Sequence, residues 1–156
     1  MRQSALLCLS ILIVGCNSGE RRTAADSTAA AAATRAMPAP LALADIAGRW
    51  TIQAVREGSD ISYVTYDMTV TGDTSGWSVV FPDRPAMPAK VLALAGDSFV
   101  VEIGPYRSVV RPSVQVVAQT VGRLVNGRLT GRFAAHYGMR GPDSLVVGRF
   151  EGTRAP

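Results

Sequence analysis

The sequence contains few of the residues that metal sites and disulfide frameworks require. Its 156 residues include two cysteines and one histidine, whereas a structural zinc site needs four nitrogen or sulfur ligands. The single lysine, Lys90, does not lie in a P-loop, and no Gly-x-Gly-x-x-Gly dinucleotide motif occurs. We therefore predict that the protein binds neither a metal nor a cofactor.

Candidate catalytic groups are also scarce. No Gly-x-Ser-x-Gly nucleophile elbow occurs, and His136 is the only imidazole available as a general base. His136 lies near the end of a predicted strand, where a histidine faces solvent, and no sequence spacing pairs two carboxylates. The sequence therefore predicts a non-catalytic protein rather than an enzyme.

The N-terminal residues have the features of an export signal. Arg2 precedes an apolar run from Ala5 to Gly15, which only Ser10 interrupts. A helix of this length spans only about 16 Å, roughly half of a bilayer, so the run is too short to cross a membrane. It is typical of the apolar region of a signal peptide.

The end of this run, Ile13-Val14-Gly15-Cys16, resembles the lipobox of bacterial lipoproteins. The resemblance implies cleavage after a signal peptide of residues 1–15 and a diacylglycerol on the Cys16 sulfur. It therefore implies a cell-envelope protein that is anchored to a membrane through its N-terminal lipid. Asn17 after the cysteine implies the outer membrane, facing the periplasm, if the host is Gram-negative. The alternative is an ordinary secretory signal with an unmodified Cys16.

The next segment, residues 16–45, has the composition of a tether. It is rich in Ala, Thr and Ser and contains no aromatic residue, and Pro38 and Pro40 lie near its end. A flexible coil of this length spans about 30 Å on average. We predict a flexible tether between the lipidated cysteine and a folded domain of residues 46–156.

The folded domain has the pattern of consecutive β-strands. β-Branched and aromatic residues occur in short runs separated by Gly, Pro, Asp and Asn, and Asn126-Gly127 predicts a type I′ hairpin. The predicted strands are 49–56, 61–71, 76–81, 90–95, 98–103, 107–110, 113–124, 128–137 and 144–152. They predict an all-β domain of about eight antiparallel strands, either a small up-and-down barrel or a β-sandwich.

The ends of this domain resemble the lipocalin-like (calycin) barrels. Gly48 and Trp50 form a Gly-x-Trp motif in the first strand, and Arg149 and Arg154 lie near the end of the last strand. In that family the first-strand tryptophan closes the base of the barrel, and an arginine from the last strand packs across it. The resemblance implies these roles for Trp50 and for either Arg149 or Arg154, together with a central cavity for a small apolar ligand.

The physics of an eight-stranded barrel leaves two possibilities for its interior, which is either filled by side chains or open to one ligand. Small inward residues such as Gly122, Gly131 and Gly148 either leave room for a ligand or relieve crowding where strands bend. The candidate ligand-binding residues are Tyr66, Met68, Trp77, Phe81, Phe99, Tyr106 and Phe133.

The charge pattern suggests a different kind of function. Net charge is +4, and residues 107–156 contain eight arginines against two acidic residues, whereas residues 46–106 contain four basic and seven acidic residues. An arginine-rich face, with Arg107 and Arg111 as candidates, fits an envelope protein-interaction or inhibitor-like module. The simpler interpretation is solvated cations on strand exteriors. Nucleic acid is not a predicted partner, because export would separate it from the chain.

Overall fold

The computed structural model describes residues 40–156. The predicted signal peptide, Cys16 and nearly all of the predicted tether lie outside the described residues. Within them, eight strands form a closed antiparallel barrel in which neighbours in sequence pair and the last strand pairs with the first. The strands are β1 (Gly48–Arg56), β2 (Ser62–Val70), β3 (Ser78–Val80), β4 (Met87–Ala95), β5 (Ser98–Arg107), β6 (Gln115–Val125), β7 (Arg128–Tyr137) and β8 (Leu145–Arg154).

This topology confirms the predicted all-β, lipocalin-like barrel and excludes the β-sandwich. Two short helical segments accompany the strands, α1 (Leu43–Ile46) before β1 and a 3-10 turn (Pro142–Ser144) before β8. The hairpin at Asn126-Gly127 is present, with φ angles of 51° and 76°, as a type I′ turn requires. No helix in residues 40–156 is long and apolar enough to cross a membrane.

The predicted strand at 107–110 is wrong, and Gly104 and Pro105, which lie outside all the predicted strands, belong to β5. β5 passes through these two residues as a bulge in its pairing with β6 and ends at Arg107. The Ser108 hydroxyl then accepts hydrogen bonds from two backbone N–H groups at 3.1 and 3.0 Å. A buried hydroxyl that caps backbone donors in this way stabilises a turn and ends the strand.

The barrel has two ends, which we name the base and the mouth. The base is the end at which β1 begins and β8 finishes. The chain enters the barrel there, and the Leu41 N–H donates a hydrogen bond to the Gly96 carbonyl at 2.8 Å. The mouth is the opposite end, and the loops that surround it are 57–61, 81–86, 108–114 and 138–144.

The half of the barrel nearer the base is filled by large side chains. Trp77 and Phe99 meet edge to face with 5.5 Å between ring centroids, and the Trp77 indole N–H donates to the Asp73 carbonyl at 2.7 Å. The largest fully buried side chains of this half include Trp50, Trp77, Phe99, Ile46, Ile52 and Leu129. Large side chains therefore occupy the inside of the barrel at the base.

Aromatic rings, and not a ligand, occupy the space beside three inward glycines. Gly122 and Gly131 are paired across β6 and β7, and a Cβ on Gly122 would lie 2.5 Å from Phe99 and 2.7 Å from Phe150. A Cβ on Gly148 would lie 2.6 Å from the Phe133 ring. Glycine at these positions therefore leaves room for phenylalanine rings. Of the two possibilities that the sequence left open, the glycines relieve crowding inside the barrel and do not make room for a ligand.

Folding also cancels the charge segregation of the sequence. Arg132 pairs with Glu57 at 3.0 Å, and Arg149 pairs with Asp60 at 2.8 Å. Both pairs join an arginine of the basic half to a carboxylate of the acidic half, because the barrel closes β8 against β1. These ion pairs are exposed and each contributes little to stability, but they remove much of the expected arginine-rich face.

Candidate ligand-binding site

The base of the barrel shows which arginine packs on Trp50. The Arg154 guanidinium lies 4.5 Å from the centroid of the Trp50 ring, and it donates hydrogen bonds to the carbonyls of Ala47 and Asp45 at 2.8 and 2.6 Å. The Trp50 indole N–H donates to the Ile46 carbonyl at 2.8 Å. Arg154 thus has the position that the lipocalin resemblance implies.

Of the other two residues predicted to pack at the base, Gly48 lies beside Arg154, whereas Arg149 does not lie at the base. Gly48 has a φ of 129°, and a Cβ there would lie 2.8 Å from the Arg154 guanidinium, so this position requires glycine. Arg149 does not contact Trp50, because it points outward from β8 and pairs with Asp60. Arg149 as a base-packing residue is therefore a correction to the sequence interpretation.

A cavity occupies the half of the barrel nearer the mouth. It encloses about 40 Å³, and about 470 Å³ are free of protein atoms when the solvent-open space at the mouth is included. Its wall contains apolar side chains from several strands and from the loop after β5. The lining residues are Ala54, Tyr63, Val64, Tyr66, Phe81, Ile103, Tyr106, Ser108, Val109, Val110, Ala118, Thr120, Phe133, Ala135 and Tyr137.

Four of the seven candidate ligand-binding residues line this cavity, namely Tyr66, Phe81, Tyr106 and Phe133. The other three, Met68, Trp77 and Phe99, lie in the filled half, where they are at most 4% exposed. The alternation of apolar residues along the strands placed all of the seven candidates except Tyr106 inside the barrel. It could not distinguish the filled half from the open half, because that distinction depends on height along the barrel axis.

Two further tyrosines of the cavity were missed. Tyr137 continues the inward alternation of Phe133 and Ala135 along β7, so extending that pattern by one step would have found it. Tyr63 breaks the alternation of β2, because the register of β1 with β2 shifts from Ala54 opposite Val64 to Val55 opposite Ser62. This bulge leaves Tyr63 unpaired and turns its ring toward the cavity.

All four tyrosines of the chain therefore meet in one place. The hydroxyls of Tyr63 and Tyr137 are 3.0 Å apart and hydrogen-bonded. Phe81 stacks on Tyr106 with 5.2 Å between ring centroids and lies 5.1 Å from Tyr66. The result is an aromatic chamber whose polar groups are hydroxyls.

Two hydroxyls of the chamber have no hydrogen-bond partner among residues 40–156. Tyr66 is 8% exposed and Thr120 is 6% exposed, and both line the cavity. No polar side-chain atom in the described part of the chain is both sealed from solvent and unpaired. The two hydroxyls therefore keep some access to solvent, and a water or a ligand atom in the cavity would complete their hydrogen bonding.

The loop 108–114 covers one side of the mouth and is held by Arg111. The Arg111 guanidinium lies 4.8 Å from the centroid of the Tyr137 ring and donates to the Asp143 carbonyl at 2.8 Å. Its ion pair with the Asp143 carboxylate is longer, at 3.7 Å. Arg111 thus connects two mouth loops and is not free for a partner, whereas Arg107 is exposed at the end of β5.

Burial keeps the chamber hydroxyls protonated. It raises the pKa of Tyr63 to about 12, with a further contribution from the Tyr137 hydroxyl, while Arg111 and Arg56 act in the opposite direction. Burial also raises the pKa of Tyr106 to about 12, against a lowering influence of Arg84. Burial raises the pKa of Tyr66 as well. The three hydroxyls are neutral hydrogen-bonding groups at physiological pH.

We expect the barrel to lose stability as the pH rises from about 10 to about 12. The folded state holds the Tyr63 and Tyr106 protons up to a pKa of about 12, whereas the ordinary pKa of tyrosine is 10.0. This contribution is complete below pH 10 and disappears as the pH passes the folded-state values. Denaturant unfolding across this range measures it, and Tyr63→Phe should weaken the dependence. A folded protein whose tyrosinate absorbance rises at pH 10 would contradict the prediction.

Comparison with known proteins does not extend this description. No protein-family model matches the chain, and neither the curated proteins nor the solved structures include a match. Residues 40–156 contain no cluster of three or more side chains suited to hold a metal ion. The geometry of the chamber and the sequence of the chain are therefore the basis for the function.

Proposed function

We propose that this protein is a lipid-anchored, non-catalytic binding protein of the cell envelope that takes a small hydrophobic or amphipathic ligand into the chamber at the mouth. The observation that carries the proposal is the division of one barrel into a filled base and a chamber with unpaired hydroxyls. Filling one half but not the other is not required for barrel closure, since side chains can fill such an interior completely.

The size of the chamber limits the ligand. The enclosed 40 Å³ is about a quarter of the roughly 150 Å³ cavity that holds benzene in a protein core. A long acyl chain has no path into the base, because Trp77 and Phe99 occupy it. The ligand is therefore compact, and its larger part lies toward the mouth.

The position of the tether is compatible with this role. The chain enters at the base, where Leu41 bonds to Gly96, and the predicted lipidation site Cys16 lies upstream. Anchoring through this end leaves the opposite end, with the chamber, open to the surroundings. The lipid anchor itself depends on the lipobox resemblance.

Native mass spectrometry of residues 17–156 tests the proposal. This chain contains all of the described residues 40–156 and lacks the predicted lipid. We expect extra mass that disappears on denaturation, or uptake of a compound from a panel of small apolar and amphipathic molecules. A mass equal to that of the chain alone, with no uptake from the panel, would reject ligand binding. Recognition of a partner through the protein surface would then be the remaining candidate function.

Surface recognition is the second candidate, and the apolar side chains around the mouth favour it. Ile61 is 81% exposed, and Val110, Met139 and Leu145 are also exposed, and they lie in or beside three of the four mouth loops. An envelope protein that covers them would bury apolar surface. We expect Ile61→Asn to abolish the binding of that envelope protein while ligand uptake continues. Leu94→Asn, on β4 at the base, is the matched control.

A further inference from the structure

The polar side chains of the chamber are hydroxyls, each of which can donate one hydrogen bond, and none of them is a carboxylate. The hydroxyls of Tyr66 and Thr120 have no partner within the described range, and the bonded pair of Tyr63 and Tyr137 retains one O–H for a further acceptor. No aspartate or glutamate lines the cavity. A group with several acceptor oxygens therefore suits the chamber better than a group that only donates.

The groups whose charges act on the Tyr63 and Tyr106 hydroxyls are arginines and tyrosines, and one of these arginines, Arg111, is paired with Asp143 at 3.7 Å. Arg56 and Arg111 act on the Tyr63 hydroxyl, and Arg84 acts on Tyr106. Arg84 donates to the carbonyls of Arg107 and Ser108, and neither Arg84 nor Arg56 forms an ion pair with a carboxylate in residues 40–156. The chamber therefore lies in a positive potential, which attracts an anion and repels a cation.

The volume and the walls of the chamber suit a small aromatic ligand. The enclosed space is about 40 Å³, which is room for about three water molecules and so for one small planar head group. Toward the mouth the walls are aromatic, with Phe81 and Tyr106 stacked at 5.2 Å. Aromatic rings add favourable offset or edge contacts to other rings.

We propose that the ligand is a compact aromatic carboxylate, whose carboxylate lies among the hydroxyls of Tyr66 and Thr120 and whose ring lies between the aromatic walls at the mouth. This inference rests on the proposed function and names its ligand class. Hydrogen bonds to an ionised acceptor are stronger than those to a neutral one. The positive potential of Arg56, Arg84 and Arg111 offsets part of the cost of removing the carboxylate from water.

Three probes of nearly the same shape test the charge preference. Benzoate, benzamide and benzamidine share a ring and a planar head but carry negative, neutral and positive charge at pH 7. In calorimetric titrations of residues 17–156, we expect benzoate to bind with about tenfold higher affinity than benzamide. The reason is that hydrogen bonds to a charged group contribute roughly twice as much binding free energy as neutral ones. Benzamidine should be the weakest of the three.

Two variants separate the hydroxyl contribution from the charge contribution. Tyr66→Phe should weaken benzoate about three- to tenfold, which is the effect of one lost hydrogen bond. Arg56→Gln should weaken benzoate about twofold, an effect that salt reduces, and should leave benzamide unchanged. Arg123→Gln removes the same charge at the base end of β6 and is expected to leave benzoate binding unchanged.

The outcomes distinguish this inference from the function on which it rests. Equal affinity for the three probes, or a preference for benzamide or benzamidine, would overturn the carboxylate class and leave a ligand-binding barrel. The same conclusion would follow if none of the probes bound but another small molecule occupied the chamber. Absence of any bound or absorbed ligand would reject the ligand-binding function itself.

Discussion

Replacing Trp50 with alanine is expected to lower the free energy of unfolding by about 3–5 kcal/mol, the usual cost of truncating a buried tryptophan. Trp50 is fully buried, its indole N–H bonds to Ile46, and Arg154 covers its ring at 4.5 Å. The variant would lose the core volume at the base, the indole hydrogen bond and the cation–π contact together. Denaturant unfolding of residues 17–156 measures the loss.

Variants of the two arginines control this prediction. Arg154→Gln should cost about 1–3 kcal/mol, because it removes the contact with the ring and two hydrogen bonds. Arg149→Gln should change stability by less than about 0.5 kcal/mol, as an exposed ion pair is expected to do. Equal losses for the two arginine variants would mean that the base is not closed by the contact of Arg154 with Trp50.

Replacing Ala135 with phenylalanine is expected to eliminate ligand binding while the barrel still folds. Ala135 is buried on β7 and lines the cavity, and a phenyl ring there would occupy the enclosed space. We expect ligand affinity to fall at least about 100-fold, which corresponds to roughly 3 kcal/mol of binding free energy. Titration with whichever ligand the native protein takes up measures the effect.

The neighbouring residue supplies the matched control. Ala134 lies next to Ala135 on β7 but does not line the cavity, because successive side chains of a strand point to opposite faces. Ala134→Phe adds the same ring outside the barrel and should leave affinity within about twofold, within the ±0.5 kcal/mol usual for surface changes. Unchanged ligand binding in Ala135→Phe would place the ligand outside the chamber and favour the loops of the mouth.

Most of the architecture followed from local patterns. Alternation such as Val64, Tyr66 and Met68 opposite Thr65 and Asp67 identified strands and their inward faces, because the side-chain period of a strand is two. The turn at Asn126-Gly127 followed from backbone chemistry alone. The strand that was wrong, 107–110, lies after a bulge, where pairing with β6 decides how far β5 extends.

The candidate site was harder to predict because its members meet only across the barrel. Tyr63 and Tyr137 are separated by 74 residues and bond at 3.0 Å. Tyr63 faces inward through a one-residue bulge, which changes the face of a side chain without changing any local pattern. The aromatic residues of β2 and β7 were therefore visible in the sequence, but their assembly into one chamber was not.

The lipocalin resemblance implied the pairing of Trp50 with an arginine near the chain end. The sequence by itself determined the all-β class, the hairpin, and the scarcity of catalytic and metal-binding groups. These properties depend on residue type and period, which are local. Only the tertiary structure decided that Arg154 and not Arg149 covers Trp50, since one points to the base and the other outward. It also decided that Glu57 and Asp60 neutralise arginines of the distant half, and that rings fill the base but leave a chamber at the mouth. Each of these depends on which strands become neighbours when the barrel closes.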